Sequence, residues 1–267
     1  MQRLVLRPLH ALLLLLAILT GCDRAPASTV NPSASPPPST SPSASRWVRH
    51  GTANWLTFKL NLEWVELQLL GQAPNDPHTL AEVKPFVTDQ HREWIMATNA
   101  GIFDPSRRPV GLHIQQGKEF VPLSTADGEG NFYLKPNGVF WIDSTGAHVA
   151  STPAYKPLGA ISLATQSGPL LVEAGRIHPA FVPSSTSLRT RSGVGVDKLG
   201  NVVFVLSDER VTFHSMATLF RDVLDCPDAL YLDGEISAMI SPESPPPARH
   251  DYAGVIVAWK RSVPPLK

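Results

Sequence analysis

Asp228-Ala229-Leu230-Tyr231-Leu232-Asp233-Gly234-Glu235-Ile236-Ser237 runs an apolar segment, Ala229 to Leu232, straight into an acid, a glycine and a hydroxyl. Four apolar residues bounded by polar ones are short for a helix and suit a buried strand. An acid at the tip of such a strand can point into a cleft instead of into solvent. Gly234 allows either a tight turn or the close approach of a ligand. Asp-Gly is also a common turn dipeptide, so the segment alone is equally a strand that simply stops. Upstream, Met216, Leu219, Phe220, Val223 and Leu224 share one face of a helix expected over His214 to Leu224. That helix lies between an apolar run at Val202 to Leu206 and the Ala229 to Leu232 run, which makes a βαβ unit. A right-handed crossover predicts that its two strands are parallel.

Outward from this unit the chain reads as many short strands. Leu60 to Leu70 alternates with a phase slip at Trp64-Val65, the mark of one strand carrying a bulge. Phe132 to Leu134, Lys135-Pro136-Asn137-Gly138 and Val139 to Ile142 read as a hairpin on Asn-Gly. Val194 to Asp197 and Val202 to Leu206, around Gly200-Asn201, read as a second. Further strands are expected at Ile161 to Thr165, Leu170 to Val172 and Val255 to Trp259. A helix is expected over Leu80 to His91, with Pro85 acting against it, and then a strand from Trp94 to Thr98. The fold class is α+β: a mixed sheet with many short strands, few helices and at least one βαβ unit.

The N-terminal residues have a different character. Arg3 and Arg7 precede an unbroken apolar stretch, Ala11 to Leu19, too short to span a bilayer and fitting a secretory signal. It closes on Leu19-Thr20-Gly21-Cys22, which resembles the lipobox of bacterial lipoproteins. The resemblance implies a signal peptide over 1–21 and an acylated Cys22 that anchors the chain in the cell envelope, at the periplasmic face of a membrane. Asp23 resembles an inner-membrane retention signal. Arg24 to Ser45 holds six prolines and seven serines without an aromatic residue, a composition that cannot repay the entropy of ordering. Residues 22–45 are thus expected to be a lipidated, disordered tether and 46–267 one folded domain. With Cys22 on lipid, Cys226 has no intramolecular partner and is expected to be a buried, inert thiol. Basic and acidic residues number 23 each and no basic stripe stands out, so nucleic acid is not an expected partner. Nothing in the pattern fixes an oligomeric state.

Two expected strand ends carry a polar residue with a glycine close behind, Asn99-Ala100-Gly101 and Asp233-Gly234, and open sheets gather ligand sites at such ends. Between them a cation, Arg191, enters a strand punctuated by Gly193 and Gly195. Asn99-Ala100-Gly101-Ile102-Phe103, Arg191-Ser192-Gly193-Val194-Gly195 and Leu232-Asp233-Gly234-Glu235-Ile236-Ser237 resemble the three signatures of the phosphodiester glycosidase family. That family includes the lysosomal enzyme that removes N-acetylglucosamine from a sugar phosphodiester. The likeness runs from about Leu60 to Trp259. The stretches Gly130 to Val139 and Ala164 to Val172 are similar to a bacterial branch. Ala100 departs from the pattern at a glycine, and Glu235 stands where the family has a small residue.

The resemblance implies a hydrolase that cleaves the glycosidic bond of a sugar-1-phosphodiester, releasing the sugar and a phosphomonoester. An ordinary glycosidase needs one carboxyl to protonate an alkoxide and a second as nucleophile or base. A departing phosphate already spreads its charge, so fewer carboxylates suffice if a guanidinium receives it. Arg191 is the candidate for the phosphate and Asp233 for nucleophile or general base. Asn99 and Ser237 are candidates to position a sugar hydroxyl or water, and Gly101 and Gly234 to admit backbone close to substrate. Glu235 would reshape the pocket or add a catalytic group, and Asp104 and His113 flank the first motif. Each has a plainer role: an ion pair for Arg191, turn caps for Asn99, Ser237 and Asp104, and a solvated loop for Asp208-Glu209-Arg210. His178 reads as structural. No zinc spacing occurs among the nine histidines, and no cofactor is called for. A divalent cation near Asp233 and Glu235 would find oxygen ligands, but no motif indicates one. Gly-x-Ser-x-Gly is absent, which argues against a serine esterase. The alternative function is a non-catalytic lipoprotein that binds a sugar phosphate, or an envelope partner, in the same cleft.

Overall fold

Strand β14 (Asp228–Asp233) forms where the apolar run predicts it, and its alternation separates two cores. Leu230 and Leu232 face a core shared by all the sheets, whereas Ala229 and Tyr231 pack under a helix. The computed structural model describes residues 43–245 and 250–262. The expected signal peptide, Cys22 and nearly all of the tether lie outside the described residues. Strand pairing begins at Ser43, inside the segment expected to be tether.

Three sheets surround the shared core. The seven-stranded sheet has the order β1 (Ser43–His50), β2 (Ala53–Leu60), β13 (Val202–Ser207), β12 (Ser192–Val196), β14, β10 (Leu170–Glu173), β11 (Arg176–Ile177). The four-stranded sheet runs β15 (Met239–Ile240), β4 (Trp94–Asn99), β16 (Val255–Lys260), β3 (Val65–Leu70). The five-stranded sheet runs β6 (Lys118–Val121), β5 (His113–Gln115), β9 (Leu163–Ser167), β7 (Gly138–Asp143), β8 (Gly146–Ser151). Because β12 is antiparallel to both β13 and β14, those two are parallel to each other. The expected βαβ unit is therefore present, with β12 inserted between its strands.

Two helices cover outer faces. α1 (Leu80–Asp89) keeps Pro85 inside and seats Leu80, Val83 and Val87 against Trp259 and Ala97. A capping box closes its start: Thr79 Oγ1 accepts from Glu82 N at 3.2 Å, and Glu82 Oε2 accepts from Thr79 N at 3.1 Å. α2 (Phe213–Thr218) is shorter than its apolar spacing suggests, because a π-helical turn, Leu219–Val223, takes over. The wider turn adds a residue and rotates the apolar face, leaving Val223 exposed where a continuous helix would have buried it.

Two strand expectations are corrected. Leu60 to Leu70 is two strands, β2 and β3, in different sheets, separated by a turn whose Trp64 and Val65 amides both donate to Asn61 O. Phe132 to Leu134 is not a strand, since Asn131–Tyr133 forms a 3-10 turn that buries Phe132. β7 pairs instead with β8, across a turn at Asp143 to Gly146. There the buried Asp143 accepts from Thr145 N at 2.8 Å and Leu158 N at 3.1 Å. The β12–β13 hairpin pairs as expected, Val196 opposite Val202.

Candidate functional site

The three motif segments meet through their strand ends. Asn99, the last residue of β4 and 1% exposed, donates from Nδ2 to Ser192 Oγ at 3.0 Å and to Ala100 O at 3.1 Å. Its Oδ1 accepts from Ala238 N at 3.2 Å. Ser192 Oγ lies 2.8 Å from Ser237 Oγ, so one hydroxyl couples the first motif to the third. Both hydrogens of the Asn99 amide are used within the protein, which makes Asn99 a clasp that holds the other two segments in place.

Asp233 reaches this point through a bulge. Val194 pairs with Leu230 and Gly193 with Tyr231, but Ser192 pairs with Asp233, so Leu232 is an extra residue on β14. Such an insertion re-aims the side chain that follows. Burial raises the Asp233 pKa to about 6, and the hydrogen bond from Gly234 N to Oδ1, at 2.6 Å, works in the opposite direction. The phenols of Tyr231 and Tyr252 are raised above their ordinary value by burial and by the Asp233 charge. Tyr252 donates to Ile236 O at 2.6 Å and so fixes the Gly234–Ser237 turn, which Ser237 N closes onto Gly234 O at 2.7 Å.

Arg191 is 1% exposed. Its Nε donates to Val211 O at 2.9 Å and Nη2 to Ser187 O at 3.1 Å. The guanidinium stacks 3.6 Å from the centre of the Phe213 ring, at the end of a column that continues through Phe181 to His178. Nη1 is buried and has no protein partner. A buried, unmatched donor on a cation is costly unless another molecule satisfies it. The Tyr231 hydroxyl is within hydrogen-bonding reach of the Arg191 guanidinium and close enough to Asp233 to feel its charge.

The glycines serve packing. A Cβ on Gly234 would stand 2.7 Å from the Tyr231 hydroxyl, and one on Gly101 would stand 2.5 Å from Gln166 O. Gly101 N also donates to Thr165 Oγ1 at 3.2 Å, so its backbone lies against β9. Glu235 is exposed and its Oε1 is 2.9 Å from Arg210 Nη2 and 3.4 Å from Arg189 Nε. Asp104 spends Oδ1 on its own loop, accepting from Ser106 N, Ser106 Oγ and Arg108 N at 2.8, 2.6 and 3.0 Å. The Ser106 hydroxyl, followed by the loop amides, holds its carboxyl below the ordinary value. His113 is buried on β5, and desolvation lowers its pKa to about 4, leaving a neutral imidazole. His178 accepts from Ala180 N and stacks on Phe181. Cys226 is buried, and burial pushes its thiol pKa up. Among the described residues no cluster of three or more His, Cys, Asp or Glu is arranged to hold a metal ion.

Ser192, Tyr231, Tyr252 and Phe213 belong to this site although sequence reasoning did not single them out. Ser192 and Tyr231 lie inside or beside quoted motifs, where a hydroxyl between a cation and a glycine and a phenol two residues before the acid were available signals. Tyr252 and Phe213 arrive from segments outside the three motifs.

Residues 92–255 match the profile of the phosphodiester glycosidase family, from just before β4 to the start of β16. YigE of Escherichia coli K12, an uncharacterised protein, is 42% identical over 144 residues, which span 54% of this chain and 57% of that protein. The catalytic domain of zebrafish N-acetylglucosamine-1-phosphodiester alpha-N-acetylglucosaminidase, auto-inhibited by its pro-peptide, has a similar fold. Its TM-score is 0.58 at 16% identity, over 84% of this chain and 85% of that one. A hypothetical protein from Synechocystis is similar at a TM-score of 0.52 and 16% identity, over 81% of this chain and 61% of that one. The profile covers more than half of the sequence and takes in every strand end that meets at Ser192: the chain belongs to the phosphodiester glycosidase family.

Proposed function

We propose that this chain hydrolyses the glycosidic bond of a sugar-1-phosphodiester in the bacterial cell envelope, held to a membrane by lipid on Cys22. The observation that carries the reading is the bulge that pairs Asp233 with Ser192, whose hydroxyl links Asn99 to Ser237. A carboxyl with a pKa of about 6 is suited to take a proton near neutral pH. Asp233 accepts a proton from water as the water oxygen bonds to the anomeric carbon. The bond from that carbon to the phosphate oxygen breaks, and its electron pair leaves on the phosphomonoester. Arg191, with its buried Nη1 unmatched, is the cation assigned to the departing phosphate. Ser192 and Ser237 orient the water or a sugar hydroxyl, and Asn99 acts through them. The substrate class named for the zebrafish enzyme supports the same chemistry here.

Full-length protein in detergent, incubated with a panel of sugar-1-phosphodiesters, should release free sugar. Asp233→Asn should reduce turnover by about 10³-fold or more with the circular dichroism spectrum unchanged. Arg191→Lys, which keeps the charge and loses the fork, should weaken binding of the phosphodiester more than binding of the free sugar. Binding of these ligands without turnover by the wild type would make the chain a sugar-phosphate-binding lipoprotein instead.

A further inference from the structure

Arg189 and Arg210 flank this site without a part in the chemistry proposed for it. An isolated bridge holds the two arginines together: Arg189 N donates to Val211 O at 3.1 Å and Val211 N donates to Arg189 O at 2.7 Å. Arg191 Nε donates to the same Val211 carbonyl, so the bridge is tied to the buried guanidinium. Both outer guanidiniums converge on one oxygen, Glu235 Oε1, while Glu235 sits in the Gly234–Ser237 turn. Only Gly234 separates it from Asp233, a backbone span of at most about 7 Å.

Two cations share one carboxylate oxygen, and the side chains of Arg189, Arg210 and Glu235 are 51%, 58% and 52% exposed. Asp208, the nearest acid to Arg210 in sequence apart from Glu209, is engaged by Asn54 N and Nδ2 at 2.9 and 2.8 Å. Exposed ion pairs are weak. A phosphoryl group offers more charge and several oxygens that suit the guanidinium fork, so it can displace a single carboxylate. We propose that Arg189 and Arg210 form an outer anion subsite with Glu235 as its internal counterion, and that the preferred substrate carries a second phosphoryl group on the aglycone side. This rests on the sugar-1-phosphodiester reading of the inner site. The acid at position 235 then serves as a placeholder, occupying the subsite until a more highly charged group arrives.

Two readouts test it. Calorimetric titration of the full chain with inorganic pyrophosphate should show Glu235→Gln binding about five- to ten-fold tighter than wild type. The Arg189→Ala/Arg210→Ala double variant should bind about ten-fold weaker, and added salt should weaken binding to the wild type. Arg210→Ala alone gives the same reading should the double variant not fold. Hydrolysis is compared between a methyl phosphate ester and a methyl diphosphate ester of the same sugar. The ratio of their KM values should move toward the diphosphate in Glu235→Gln and away from it in the double variant. Equal pyrophosphate affinity in all three proteins overturns the subsite, even if the phosphodiester is hydrolysed. The expected affinity order without turnover of either ester keeps the subsite and removes the hydrolase reading.

Discussion

Asp233 sits within electrostatic reach of Tyr231 and Tyr252, and burial lifts its pKa from the ordinary 3.8 to about 6. The folded state holds this proton more tightly than the unfolded chain does. Between about pH 4 and pH 6 the folded form therefore carries the extra proton, and stability falls as pH rises through that window. Above it the ionised carboxylate is kept at a cost of roughly 2–3 kcal/mol, from the shift of about two units. Asp233→Asn should consequently melt higher than wild type at pH 8, by several degrees, and the gain should shrink to about a third near pH 4.5. Melting curves at the two pH values decide it: an equal offset at both would mean that the buried charge is not the cause. For the wild type, the same titration should give kcat/KM an acid limb near pH 6. The acid itself was legible in the sequence because an apolar run stopped at it. Its setting was not, since the bulge at Leu232 exists only in the pairing of β14 with β12 and Tyr252 comes from another segment of the chain.

Strand β12 shows what the motif glycines do at the level of elements. Gly193 and Gly195 face α2 and its π-helical turn, where a Cβ would stand 2.5 Å from Met216 Cε and 2.8 Å from the Phe220 ring. The same added Cβ on Gly195 would stand 3.0 Å from Cys226 Cβ, so a side chain there meets packed atoms of two residues. Gly195→Val should destabilise the fold by about 2 kcal/mol or more, lowering the melting temperature by several degrees. Activity measured well below the melting point should suffer less, because the substitution lies away from Ser192. A variant as stable as wild type would show that α2 can lift off the sheet. The same element scale explains the misread hairpin. Lys135-Pro136-Asn137-Gly138 has the composition of a turn, yet Gly138 is glycine because Ala150 O would stand 2.6 Å from its Cβ. Local composition reports that a glycine is needed there, whereas the partner strand that needs it lies beyond the next turn.

At the scale of the whole molecule, the proposed membrane attachment has to come from a particular part of the chain. No helix among the described residues is long and apolar enough to cross a membrane, a statement that leaves β-barrels aside. Basic and acidic side chains balance at 23 each, so net charge offers no general attraction to an anionic lipid surface. The proposed attachment then depends on acyl chains at Cys22, the residue that closes the Leu19-Thr20-Gly21-Cys22 lipobox match. Loss of that one sulfur should release the whole protein, because the acyl chains supply all of the proposed membrane affinity. In a bacterial host, Cys22→Ser should move the chain from the membrane pellet to the soluble or precursor fraction. The described fold begins at Ser43 and the motif strand ends lie between Asn99 and Ser237, far from position 22 in sequence. kcat/KM on a water-soluble phosphodiester should therefore stay within about two-fold of wild type. Retention of Cys22→Ser in salt-washed membranes would mean that another surface does the anchoring.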